Sequence, residues 1–115
     1  MQSQGELAHP KTGRRVTPKP LGAKADWRPD VPRSDGRHEL ADWLTAPSHP
    51  RFGRAWANRV WKNLLGRGLV EPVDDLRPTN PPTHPALLDA LARDLSEHGF
   101  SLRHLIHTIV TSRTY

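Results

Sequence analysis

The chain contains no cysteine. That excludes disulfides, thiolate metal sites, a cysteine nucleophile and C-x-x-C-H haem attachment within these residues. It has no run of about 18 apolar residues, so no segment reads as a membrane-spanning helix. Met1-Gln2-Ser3-Gln4-Gly5-Glu6 lacks the charged-then-apolar order of a signal peptide. Hydrophobic residues make up only 35% and mean hydropathy is −0.70, so the core is expected to be modest. There is no Gly-x-Ser-x-Gly, His-Glu-x-x-His or dinucleotide fingerprint. Gly66-Arg67-Gly68 is too short for a phosphate cradle, which needs a longer glycine loop ending in Lys-Ser/Thr.

What is present, 115 residues, fits one small domain. Four tryptophans can each bury a large apolar area. Twelve prolines fall mostly outside the apolar-periodic stretches and so mark boundaries. The net charge is +5. Residues 1–35 hold seven basic and four acidic side chains, residues 36–115 ten and eight, so the second part is nearly balanced. A basic excess permits polyanion binding without demonstrating it.

The pattern predicts a mainly α protein, a small four-helix bundle-like unit with a short N-terminal β-hairpin or extended arm. The arm covers 1–35 and the helical unit 36–115. Glu6–His9 and Arg14–Thr17 read as two short strands around the turn Pro10-Lys11-Thr12-Gly13. Pro18 to Arg33 reads as extended chain, pinned by Trp27. The first helix is expected over 36–46 with Ser34 or Asp35 as cap, and Leu40, Ala41, Trp43 and Leu44 on one face. The second is expected over 50–65. Its apolar face is Phe52, Trp56, Ala57, Val60, Trp61 and Leu64; the opposite stripe is Arg51, Arg54, Asn58 and Lys62. Gly66 and Gly68 suit a helix stop. Residues 69–82 read as an ordered connection packed on the helices. A third helix begins near Thr83-His84-Pro85, carries Leu87, Leu88, Leu91, Ala92 and Leu95 on one face, and ends at Gly99. Ser101 caps a fourth with Leu102, Leu105, Ile106, Ile109 and Val110. The spacing of Trp43, Trp56 and Trp61 predicts a shared, tryptophan-rich interior.

Arg59 lies where an apolar face meets a polar one, and Asp74-Asp75 sit in the packed connection. A guanidinium can hold a carboxylate by two hydrogen bonds, so a clamp of loop on helix is the structural reading. The functional reading is a cation site or acid–base pair, with Arg67 and His84 near it. Adjacent aspartates point apart, which weakens the acid–base version. The Arg51, Arg54 and Lys62 stripe could contact phosphates. No aromatic interleaves with it and no zinc finger or helix-turn-helix is present, so a solvated face is favoured over nucleic acid. His104 and His107 have a spacing that can present two imidazoles to one metal. No third ligand is evident, and His84 and His98 are read with the same caution. No metal site and no cofactor are therefore expected in this chain.

Six phrases fall in order: Glu6-Leu7-Ala8-His9-Pro10-Lys11-Thr12-Gly13, Asn58-Arg59-Val60-Trp61, Gly66-Arg67-Gly68-Leu69-Val70, Asp74-Asp75-Leu76-Arg77, Asn80-Pro81-Pro82-Thr83-His84-Pro85 and Thr111-Ser112-Arg113-Thr114-Tyr115. In this order the chain resembles the planctomycete domain of unknown function 1553, over nearly its whole length. The resemblance implies no established activity. It implies a large exported protein, periplasmic or secreted, that often carries a second uncharacterised domain and a cytochrome-c-like haem module. Such domains continue past the Ser-Arg-Thr-Tyr phrase, so the chain is expected to be a fragment. His49 departs from the family's usual Asn before Pro50.

The preferred expectation is a non-catalytic structural or interaction segment, whose partners are the rest of its own domain or neighbouring domains. Two alternatives are part of an extracellular hydrolase acting on polysaccharides, with Asp74, Asp75, Arg59 and His84 contributing, and polyanion binding through the basic stripe.

Overall fold

The computed structural model describes residues 7–16, 19–22, 36–49 and 51–115. The roles expected of Trp27, Ser34 and Asp35 lie outside the described residues, as does most of the extended segment. The element order is β1 (Leu7–Ala8), β2 (Arg15–Val16), α1 (Gly36–Thr45), α2 (Phe52–Leu65), α3 (Pro85–Glu97) and α4 (Leu102–Val110). The protein is mainly α. It divides into two compact units, Met1–Trp43 and Leu44–Tyr115.

In the first unit β1 and β2 pair antiparallel, Leu7 opposite Val16 and Ala8 opposite Arg15. The turn is closed by the amide of His9 donating to the Arg14 carbonyl at 2.9 Å and that of Gly13 donating to the His9 carbonyl at 2.8 Å. Gly13 has a positive φ, in the left-handed region that favours glycine. Along α1, Leu40 is exposed and Trp43 half-buried.

In the second unit, local chemistry sets each helix boundary. The first amide of α2, Phe52 N–H, donates to Nδ1 of His49 at 3.1 Å. Gly66, left-handed in its backbone, stops α2, and its amide bonds the Lys62 carbonyl. This is the usual place for glycine at a helix end. Proline opens α3, where its missing N–H costs nothing. At the far end of α3, Gly99 N–H bonds Ser96 O at 3.2 Å and Phe100 N–H bonds Leu95 O at 2.8 Å. This is a Schellman stop, with the Phe100 ring packed on the core as the motif favours. Ser101 then caps α4, its hydroxyl accepting the His104 amide at 3.3 Å.

The core is aliphatic. Ala57 and Val60 of α2, Leu69 and Val70 of the connection, Leu88, Leu91 and Leu95 of α3, and Leu105 and Ile109 of α4 form one buried cluster. Trp61, Leu64, Leu76, Leu87 and Phe100 pack against it while staying partly exposed. The tryptophan-rich interior expected from the sequence is therefore corrected. Trp56 is 40% exposed and Trp43 and Trp61 are half-buried. The second unit is too small to cover whole indoles, so Trp56 and Trp61 lie along its flanks. Close approach of α2 and α3 depends on Gly53, where an added Cβ would stand 3.0 Å from the Ala92 carbonyl oxygen. Beside that contact Phe52 meets Phe100, with ring centroids 5.3 Å apart. The two rings meet edge to face, an arrangement their quadrupoles favour.

Candidate functional site

The best-defined polar structure is the connection between α2 and α3, and Asn58 organises it. The residue is completely buried. Its Nδ2 donates to the carbonyls of Val70 and Val73, each at 3.0 Å, and its Oδ1 accepts the Val70 amide at 3.0 Å. One helix side chain thus satisfies three backbone groups of the connection, the two of Val70 in a buried place and the carbonyl of Val73 in a part-buried one. Gly68 makes room for it: a Cβ there would lie 2.5 Å from Val70 O and 3.0 Å from Asn58 Oδ1. Helical periodicity places Asn58 on the solvated stripe, and the structure corrects that. The loop folds over this part of the stripe and buries it.

Two other side chains continue the bracket. Asn80 Nδ2 donates to the carbonyls of Glu71 and Asp75 at 3.1 and 3.0 Å. Thr83 donates to the Leu69 carbonyl through its amide at 2.8 Å and through its hydroxyl at 3.1 Å. Glu71 turns back on α2, its Oε1 accepting the Gly68 amide at 2.8 Å and its Oε2 meeting Lys62 Nζ at 3.1 Å. Those contacts, the Gly68 amide first and Lys62 next, hold the Glu71 carboxyl below its ordinary pKa. Each favours the charged form of the group.

The residues picked from the sequence as a clamp or site separate into distinct pairs. Among the described residues Arg59 pairs with Asp74, and both are exposed, at 51% and 71% of the side chain. Asp75 is gripped instead by Arg77, Nε to Oδ1 at 2.6 Å and NH2 to Oδ2 at 2.7 Å. That fork is the strong, bidentate kind. It holds the Asp75 carboxyl below its ordinary range and raises Arg77. Arg67 is exposed, and its charge adds to the depression of Glu71 after the nearer contacts named above. His84 is the N-terminal boundary residue of α3, exposed and without a side-chain capping bond. On the basic stripe, Arg54 pairs with Asp89 of α3 and Lys62 with Glu71. Arg51 is exposed.

A groove of about 350 Å³ runs beside the α2–α3 contact, lined by His49, Gly53, Arg54, Asp89, Arg93 and Phe100 among others. None of Arg59, Asp74, Asp75, Arg67 or His84 lines it. His49 is held below its ordinary pKa by burial and, second, by the charge of Arg51. Both disfavour the imidazolium.

The structure also assembles a group that the sequence pattern does not single out: Asp94 and His98 at the end of α3 with His104 at the start of α4. The spacing in the sequence pairs His104 with His107, and His107 lies outside this group. The signal that could have found it is Asp-x3-His on a helix, then a tight glycine turn and a histidine in the first turn of the next helix.

A mainly helical unit with its polar groups arranged as loop braces defines a class of architecture rather than an activity. The model of the family described as Protein of unknown function (DUF1553) matches residues 36–115, and the chain belongs to that family. No curated protein and no solved structure matches it.

Proposed function

We propose that this chain is a non-catalytic structural or interaction segment of a larger exported bacterial protein, one that also carries cytochrome-c-like modules. Its partners are the rest of its own domain or the domains beside it. The observation that carries this reading is the exposed flank of the apolar face of α4. Leu105 and Ile109 fill the core, at 0% and 2% exposure, while Leu102 and Ile106, one turn apart along the flank of the same apolar face, remain 39% and 41% exposed. An apolar face wider than the core it meets leaves a strip suited to a further partner. The wider setting, export and haem-bearing neighbours in a planctomycete-type protein, rests on the resemblance in the sequence.

The hydrolase alternative would need carboxylates facing a common substrate. Asp74 and Asp75 are each engaged by a different arginine, and neither lines the groove. The polyanion alternative would need free cations along α2, where Arg54, Arg59 and Lys62 each face a carboxylate.

The test is Leu102→Glu with Ile106→Glu in the whole polypeptide and in the chain alone. Circular dichroism of the chain should stay helical and its binding of a hydrophobic dye should fall. Association with the remaining domains supplied separately should be lost, while Arg59→Ala retains it. Release of sugar from a polysaccharide panel that disappears in Asp75→Asn would overturn the reading.

A further inference from the structure

We propose that Asp94, His98 and His104 form a binding site for one divalent transition-metal ion of the zinc class, closing the corner between α3 and α4. One ligand atom from each of these residues lies within 4.8 Å of the others. Asp94 Oδ1 is 3.3 Å from His98 Nδ1, and Asp94 Oδ2 is 3.0 Å from His104 Nε2. Ligand atoms about 2.0–2.1 Å from a tetrahedral zinc are about 3.3 Å from one another, so the carboxylate–imidazole separations already match. Two imidazoles and one carboxylate suit zinc, cobalt, nickel or copper. Magnesium and calcium require oxygen ligands throughout.

The backbone presets the geometry. Asp94 and His98 stand one turn apart at the end of α3 and so share a face. The Schellman stop at Gly99 and the Ser101 cap then turn the chain so that His104, in the first turn of α4, returns over them. The two imidazole rings stack, with centroids 3.7 Å apart and planes 17° from parallel, so capture of one ion splays them until the lone pairs in the two ring planes meet at it. The side chains of His98, His104 and Asp94 are 49%, 34% and 31% exposed, so an ion can enter and a water can complete its coordination.

A second observation comes from the carboxylate. Nε2 of His104 directs its hydrogen bond to Oδ1 at 3.1 Å. Oδ2 lies 3.0 Å from the same nitrogen in an ion-pair contact, but it is shut off from water and makes no hydrogen bond among the described residues. A buried carboxylate oxygen without a partner carries an energetic cost that a cation would remove. In the metal-free chain His98 Nδ1 lies 2.8 Å from the Asp94 carbonyl, a distance at which it donates its proton. Metal capture replaces that bond with one to the ion, the proton moving to Nε2 of the same ring. His104 likewise binds through Nε2 with its proton on Nδ1.

The test titrates the whole chain with Zn2+ by calorimetry and with Co2+ by visible absorption. One equivalent should bind with micromolar or tighter affinity, and Co2+ should give the intense bands of four-coordination. His98→Ala and His104→Ala should each weaken binding at least tenfold, and Asp94→Asn by a similar factor. His84→Ala and His107→Ala should leave it unchanged. Because a variant could unfold, ring NMR of the unaltered chain supplies a second reading: among its seven histidines, zinc should shift His98 and His104 alone. Binding no tighter than millimolar, or binding equal in His98→Ala and His104→Ala to that of the unaltered chain, would reduce the group to a hydrogen-bonded clasp and overturn the proposal. Zinc shifts spread over other histidines would overturn it too.

Discussion

Among single residues, Asn58 matters most and Arg59, its neighbour, least, although the sequence suggests the reverse. Arg59–Asp74 is an exposed ion pair, of a kind that contributes about 0–1 kcal/mol. Asn58 is fully buried and makes three hydrogen bonds, two of them buried and the third, to Val73, part-buried. Truncating it strands one amide and two carbonyls, at about 1 kcal/mol each. Asn58→Ala should therefore lower stability by about 3 kcal/mol in urea denaturation, and Arg59→Ala by less than about 1 kcal/mol. Equal losses would show that the bracket is not what holds the connection. The sequence could not separate the two. Helical periodicity locates the stripe that faces away from the helix's apolar neighbours. It is blind to a loop further along the chain that folds over one position of that stripe. The same blindness hid the triad, whose third member arrives from another helix.

For the elements, local signals in the sequence are strong, and the four helices lie within a residue or two of where those signals place them. Leu102 to Val110, Leu87 to Leu95 and Phe52 to Leu64 repeat at helical spacing. Pro85, Gly66, Gly99 and Ser101 stand where helix ends need them. What the period did not reveal is which apolar side chains lie deepest. That depends on the distance between helices, and at α2–α3 a glycine sets it. Gly53→Leu would drive a branched side chain into the Ala92 backbone, 3.0 Å from where its Cβ would sit. The better helix propensity of leucine recovers only about 1 kcal/mol. Overpacking at a backbone contact costs about 1–3 kcal/mol or more. Thermal unfolding should therefore show a net destabilisation of up to about 2 kcal/mol. An unchanged or raised Tm would mean that α2 and α3 can separate freely. Gly53→Ala places a single methyl there, and its propensity gain should nearly cancel the contact.

In the whole molecule, the charged groups act as a dispersed set of braces, and this gives stability a defined dependence on pH. Glu71 and Asp75 both have carboxyls held below their ordinary values, Glu71 first by the Gly68 amide and Asp75 first by Arg77. A depressed carboxyl favours the folded chain above its unfolded pKa, near 4.5 for Glu71 and 3.8 for Asp75. That contribution is lost as pH falls through the lower folded values, because the unfolded chain takes up protons first. His49 acts in the same direction at higher pH. Its pKa is depressed from 6.5 by burial and then by Arg51. Protonation would also remove the Nδ1 lone pair that accepts the Phe52 amide at the start of α2. Stability should thus be highest above neutrality, decline gently below about pH 6.5 and more steeply below about pH 4.5. His49→Asn keeps a side-chain acceptor near that amide without a titrating ring and should abolish the first decline. Glu71→Gln should flatten part of the second while lowering stability at neutral pH. Urea midpoints measured from strongly acidic to mildly alkaline pH decide the matter: a stability maximum near pH 5, or an unaltered profile in both variants, would show that other groups control the acid response.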